Sequence, residues 1–367
     1  MTLAAPVLAA RLPRDLHPVA WWVWALGLAV AASLTTNAMV LFLLLAVVTL
    51  VVTLRRGDQP WARSFRLYVW VGVVIVVVRV GFRIIFGGSD GSRVLLALPQ
   101  IPLPDWVLGI RLLGPVTQDA LVVGFCDGLR LATIVICVGA ANALANPKRL
   151  LRSVPPALYE IGTALVVAVS VLPQLADSVR RVRAARDLRG GATGRVGRLR
   201  RLLVPVLEDA LERSLALAAG MDTRGYGRAP GLTASARRRT GALMLAGLCG
   251  ILVGTYAVLD HTAPRVLALP MLVLGLALAV AGLGSAGQRV SRTRYRPDHW
   301  RWPELLVACS GVVTAMVGWW VSHHQLGIAF PSPADWPQVS AAVLVGALVA
   351  LAGALCSPAP RTAEVLA

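Results

Sequence analysis

Residues 19–54 read VAWWVWALGLAVAASLTTNAMVLFLLLAVVTLVVTL, an apolar block of 36 residues interrupted by Ser33-Leu34-Thr35-Thr36-Asn37. As one helix it would be about 54 Å long, whereas the hydrocarbon layer is about 30 Å thick and takes about 20 apolar residues. The block therefore divides at the polar stretch into two short helices. Arg11 and Arg14 precede it, and Arg55, Arg56, Arg63 and Arg66 follow it. Lys and Arg gather on the cytoplasmic side of membrane proteins, so both ends of this hairpin are predicted on that side.

The same rule orders the chain outward from the hairpin. Apolar runs follow at about 67–86 and 117–145. The loop between them, 87–116, carries Gly87, Gly88, Pro99, Pro102, Pro104 and Pro115 but only two basic residues, Arg93 and Arg111, and reads as external. Four more runs lie at about 241–259, 266–286, 304–322 and 339–356. Their connections alternate in basicity. Arg237, Arg238 and Arg239 lead in, Arg265 stands alone in the next turn, Arg289, Arg292, Arg294, Arg296 and Arg301 cluster, and 323–338 has neither Lys nor Arg. The expected fold is all-α, a polytopic membrane protein of about eight transmembrane helices with both termini in the cytoplasm of a cell (plasma) membrane.

Composition agrees. Of 367 residues, 57% are hydrophobic and 15% charged, with a mean hydropathy of +0.70; soluble domains carry about 25% charged residues. The formal charge of +18 sits in short segments between apolar runs, which fits the positive-inside rule and needs no nucleic acid. Cys126, Cys137, Cys249, Cys309 and Cys356 fall within or at the edge of apolar runs without CxxC spacing and read as small core residues. The apolar stretch after Arg14 is too long for a signal-peptide core and is read as a retained helix.

The middle of the chain differs. Lys148, Arg149 and Arg152 precede an apolar run at about 155–176, and Arg180, Arg181, Arg183 and Arg186 follow it, so both ends are basic and a simple crossing is disfavoured. From 177 to 240 there are 15 Arg against 6 Asp+Glu, half of the net charge. Within it Leu199, Leu202, Leu203, Val206, Leu207, Ala210, Leu211, Ser214, Leu215 and Ala218 recur at helical spacing, with Arg200, Arg201, Glu208, Asp209, Glu212 and Arg213 read as the opposite face. This predicts a cytoplasmic amphipathic helix of about five turns. Three regions result: N-terminal spans (1–146), a cytoplasmic or membrane-surface region (147–240) and C-terminal spans (241–367).

The permitted chemistry is narrow. A phosphate-binding loop needs Gly-Lys-Ser/Thr, and the single lysine, Lys148, follows a proline outside any glycine-rich loop. His323 and His324 are adjacent and point about 100° apart on a helix, poorly placed to share an ion. No catalytic constellation, metal site or cofactor site stands out, and no enzyme activity is expected. Ionisable groups do occur inside spans, namely Arg79, Asp127 and Arg130. Such charges seek partners, so an Arg79–Asp127 pair locking two helices is one expectation and a substrate or ion pathway the other.

Two short motifs sharpen the reading. Arg183-Ala184-Ala185-Arg186-Asp187-Leu188-Arg189-Gly190 and Ala219-Gly220-Met221-Asp222-Thr223-Arg224-Gly225-Tyr226-Gly227 are both helix ends closed by Arg-Gly. The pair resembles the transmembrane T component of energy-coupling factor (ECF) transporters, the CbiQ/EcfT-like family, whose cytoplasmic coupling helices end in two Ala-Arg-Gly motifs. Leu172-Pro173-Gln174-Leu175 resembles the family's Ile-Pro-x-Leu, and Met221 to Tyr226 its Met-Glu-Ala-Arg-Gly-Tyr. In order, the resemblance covers about residues 15–260. Leu188 and Thr223 stand where the family has alanine, and the chain has about four spans after the coupling helices where the family has one.

The resemblance implies a scaffold that couples ATP hydrolysis by two ABC-type ATPase subunits, or a fused pair, to vitamin or cobalt-type metal-ion uptake through a membrane-embedded substrate-binding S component. Arg189 and Arg224 would dock on the ATPases, with Ala185, Arg186, Gly190, Asp222, Gly225 and Tyr226 around them. Specificity would then reside in the S component. An alternative from another class is a self-sufficient ion-coupled secondary transporter built on Arg79, Asp127 and Arg130.

Overall fold

The computed structural model describes residues 15–57, 64–86, 93–99, 113–153, 159–188, 195–226, 234–260, 265–287 and 300–358. Its helices are α1 (Pro18–Ser33), α2 (Ala38–Arg55), α3 (Phe65–Ile85), α4 (Gln118–Leu144), α5 (Pro147–Arg152), α6 (Tyr159–Asp187), α7 (Arg195–Thr223), α8 (Ala234–Leu259), α9 (Arg265–Gly287), α10 (Trp302–His324), α11 (Leu326–Ala329) and α12 (Ala341–Leu355). A two-stranded antiparallel ribbon, β1 (Val94–Ala97) with β2 (Pro115–Thr117), lies between α3 and α4. The protein is an all-α polytopic membrane protein. Among the described residues, seven helices are long and apolar enough to cross a membrane, and α1 and α12 are shorter apolar helices. One of the seven is Ile161–Ala185 within α6, the run that the basic residues at both its ends set apart as a non-crossing segment.

The chain forms two compact units, residues 1–150 with 297–367 and residues 151–296. The C-terminal spans are thus shared between units: α10 and α12 belong with the N-terminal helices, α8 and α9 with α6 and α7.

In the first unit, the break between α1 and α2 falls at the polar stretch that opens the sequence reading. Asn37 is fully buried and satisfies both ends of its amide. Its Oδ1 accepts from the backbone N–H groups of Met39 (3.0 Å) and Val40 (3.4 Å), capping α2. Its Nδ2 donates to the carbonyls of Ile328 (2.8 Å) and Gln338 (2.7 Å), and Thr35 Oγ1 donates to Ala329 O (2.7 Å). The turn of the first hairpin is thereby stitched to the turn of the last one.

The last hairpin lies beside the first along its length. Trp24 and Gly27 meet Gly311, and Ala31 meets Gly318, so α1 and α10 run parallel. A Cβ on Gly27 would collide with the Gly311 carbonyl, so only glycine permits this backbone approach. Trp24, with no exposed surface, donates Nε1–H to Ala350 O of α12 at 3.1 Å, and Arg55 at the end of α2 donates to the Leu355 carbonyl at the end of α12. Helix α4 packs against α1, α2 and α3, and the core gathers Leu28, Leu41, Val48, Val51, Ile136, Cys137, Ala140 and Val307. Of the five cysteines only Cys137 is in this core. Cys126 is half-buried, while Cys249, Cys309 and Cys356 are exposed, because their helices turn those faces away from the protein.

In the second unit, α8 and α9 form an antiparallel hairpin in contact through small residues. A Cβ on Gly250 would stand 2.8 Å from Gly275 Cα, and one on Gly247 would stand 2.6 Å from Ala279 N.

Replacing Asn37 by Ala removes a helix cap and leaves the half-covered Ile328 and Gln338 carbonyls without this donor. The expected loss is about 2–4 kcal/mol, taking about 1 for the cap and 1–3 for the unsatisfied groups. Thermal unfolding of the purified protein in mild detergent measures it.

Candidate functional site: the coupling helices

Helices α6 and α7, each of 29 residues, pack against one another in the second unit. Both run through an internal proline, Pro173 and Pro205. Each proline removes one backbone bond to the residue four earlier, a loss tolerable where the helix is otherwise held by tertiary contact.

The contact is organised by Asp209 of α7. Its carboxylate accepts from the Ser178 hydroxyl of α6, from Arg213 Nε at 2.9 Å within α7, and from Arg181 Nη2 of α6 at 3.4 Å. Ser178 is buried at the crossing, as is Val206 one turn before Asp209. These donors, Ser178 first and then Arg213, hold the Asp209 carboxyl below the usual carboxylate range. Asp209 was expected on the face opposite the apolar stripe, and the structure corrects this. Residues 202, 206, 209 and 213 repeat at i, i+4, i+7 and i+11, so they share one face, which is the one turned to α6. The stripe beside it is largely uncovered, with Leu203, Leu207, Leu211 and Leu215 all exposed.

The end of α7 has defined geometry. Gly225 takes φ +74°, the left-handed conformation. The Tyr226 N–H bonds back to Met221 O (3.1 Å) and the Gly225 N–H to Asp222 O (2.9 Å), the two reverse bonds of a Schellman closure. Arg224 is then the C-cap residue, exposed at the point where the helix dipole is negative, with Asp222 and Tyr226 exposed beside it. Nothing lies within 4 Å of where a Gly225 Cβ would be, so the glycine is required by backbone conformation and not by space. At the end of α6, Ala185 is exposed and Arg186 lies in the last helical turn; Arg189 and Gly190 lie outside the described residues.

The charges within the first unit are arranged differently from the expectation. Asp127 of α4 pairs with Arg83 of α3 at 3.7 Å, not with Arg79. Arg83 lies one turn beyond Arg79 on the same face, and the antiparallel register of α3 and α4 brings it level with Gly124 and Asp127. Arg79 lines the same cleft, and Arg130, half-buried, is outside its lining. Sequence reasoning missed Arg83, Ser178 and Arg181. Arg83 was detectable as a second arginine at i+4, but the Ser178–Asp209 contact joins residues 31 apart and leaves no local signal.

Helical spans, capped hairpins and a basic helical pair with an Arg-Gly end define a multi-pass membrane protein. The family of CbiQ cobalt transport proteins matches residues 9–234, and the chain belongs to it. Among relatives, the energy-coupling factor transporter transmembrane protein EcfT of Leuconostoc gelidum subsp. gasicomitatum is 26% identical over 181 residues, which is 46% of this chain. The match spans 63% of that relative's length. Helices α8 to α12 lie beyond the family match.

Two outcomes follow from this geometry. Gly225→Ala is expected to destabilise the α7 end by about 1 kcal/mol, with Gly225→Asn milder, as read by hydrogen exchange at Tyr226. Because the Asp209 carboxyl is depressed when folded, its contribution is present above its unfolded value of about 4 and is lost as pH falls through the folded value. Spin labels on α6 and α7 should therefore hold one separation from pH 8 to pH 5 and part in stronger acid, and Asp209→Asn should remove that pH dependence.

Proposed function

We propose that this chain is the energy-transducing transmembrane scaffold of an ECF-type ABC importer. It binds two ABC-type ATPase subunits, or a fused pair, and a membrane-embedded S component that holds the cargo, a vitamin or a metal ion. ATP hydrolysis belongs to the partner subunits. The supporting observation is the α7 terminus: an exposed, always-charged Arg224 at a helix end closed by Gly225, inside the family-matched region. A guanidinium so placed offers two parallel donors to a partner carboxylate, a contact with fixed direction.

The α6–α7 crossing suits the role. From Asp209 to Thr223 the helix rises about 21 Å, and from Arg181 to Asp187 about 9 Å. Two arms joined by a side-chain clasp move together when their tips are displaced, so a closing motion of the ATPases at Arg189 and Arg224 is transmitted as tilt of the pair. The uncovered Leu203–Leu215 stripe is the face left for the S component. The basic residues at 180–201 and 237–239 support a cytoplasmic side of the plasma membrane for this region, and the alternation of basic loops supports the same side for both termini.

Affinity purification of the tagged protein from its native membrane, with mass spectrometry of what co-elutes, tests the assignment. Nucleotide-binding subunits together with a small apolar membrane protein are the expected partners. Recovery of the chain alone, with ion-driven uptake after reconstitution, would establish the secondary-transporter alternative instead. Replacing Arg189 and Arg224 together by Ala should leave insertion and folding intact and abolish ATPase co-purification; a stoichiometric complex with the double variant would refute these contacts.

A further inference from the structure

Between α3 and α4 lies a cleft of about 220 Å³ lined by Arg79, Phe82, Arg83, Phe86, Gly124 and Asp127. It holds two guanidinium groups and one carboxylate. Asp127 compensates Arg83, at 3.7 Å. Arg79 makes no hydrogen bond or ion pair with the described residues. Among the described residues the cleft therefore carries one positive charge without a counter-charge, on a helix of 21 residues in which only Phe65 and Gly72 are buried.

The setting indicates what supplies the counter-charge. Arg79 lies six residues before Ile85, about 9 Å inside the end of α3. Arg79 lines the cleft together with Arg83, and an arginine stem is long enough to carry its head from that depth to the membrane interface. Phe82 and Phe86 stack at 5.4 Å between ring centroids and are both exposed, forming the outer lip. Val73, Val74, Val77 and Val78 on the same helix are exposed as well, so the cleft opens sideways onto lipid. Gly124 keeps it open beside Arg83, since a Cβ there would come within 2.7 Å of Arg83 Cγ.

We propose that this cleft binds the phosphate of an anionic phospholipid from the leaflet at the Ile85 end of α3. The Arg79 fork donates to two phosphate oxygens, Arg83 adds a second cation already oriented by Asp127, and the acyl chains follow the exposed valine and phenylalanine face. The site does not depend on the coupling role and would hold whether or not ATPases bind.

Native mass spectrometry of the full-length protein, purified with phosphatidylglycerol or phosphatidylcholine and stripped progressively of lipid, tests the proposal. Wild type should retain one phosphatidylglycerol preferentially, and 10-fold excess inorganic phosphate should not displace it. Arg79→Leu, at a lipid-facing position, should weaken retention by about tenfold, the scale of one charge-assisted hydrogen bond. Arg79→Lys, which keeps the charge but loses the fork, should fall between them. Asp127→Asn removes the competing carboxylate and should strengthen retention severalfold, a direction that a purely structural pair does not give. Equal retention of the two lipids, unchanged retention in Arg79→Leu with a normal elution profile, or displacement by inorganic phosphate would each overturn the lipid assignment. If Arg79→Leu does not fold, Arg79→Lys and Asp127→Asn decide the matter by their opposite signs.

Discussion

In a hydrocarbon setting every backbone polar group must find its partner within the chain, and Asn37 is where this protein meets that demand most visibly. Ending α1 and starting α2 inside an apolar block exposes N–H and carbonyl groups that no water would satisfy. Asn37 answers with four hydrogen bonds, two that cap its own helix and two that bind the distant turn at Ile328 and Gln338. The first and last hairpins are consequently joined at their turns. Trp24 to Ala350 and Arg55 to Leu355 repeat the same solution farther along, with side chains satisfying helix carbonyls across the interface.

Once the turns are joined, close packing decides the rest. Lipid tails are as apolar as leucine, so helices in a membrane associate by fit and not by expulsion of water. Glycine supplies that fit at Gly27 with Gly311 in one unit and at Gly250 with Gly275 in the other. The helices beyond the family-matched region, α8 to α12, use these contacts as fully as the matched ones do. Two of them, α10 and α12, complete the core around Trp24 and Leu28.

The α6–α7 region follows a different logic because residues 177–240 carry half of the chain's net charge. There a single carboxylate, Asp209, gathers donors from two helices and turns a loose basic pair into a jointed one. The Schellman closure at Gly225 sets where α7 stops and so where Arg224 points. An arginine in a frayed end would present the same charge without a direction, and direction is what distinguishes a docking contact from general attraction to anionic surfaces.

Apolar run lengths, basic-residue alternation and the polar break at 33–37 were enough to specify an all-helical polytopic protein, because hydrophobic thickness and the cost of charge act on local sequence. The Arg224-Gly225 end was legible for the same reason: a helix stop is written in a few consecutive residues. What the tertiary structure decided were pairings over distance. It assigned Asp127 to Arg83 instead of Arg79, turned Asp209 toward α6, split the C-terminal helices between two units and set three of the five cysteines on outer faces. Each of these depends on the rotation and register of one helix against another, which are set by side-chain volumes at the contact and are not encoded in the periodicity of either helix alone.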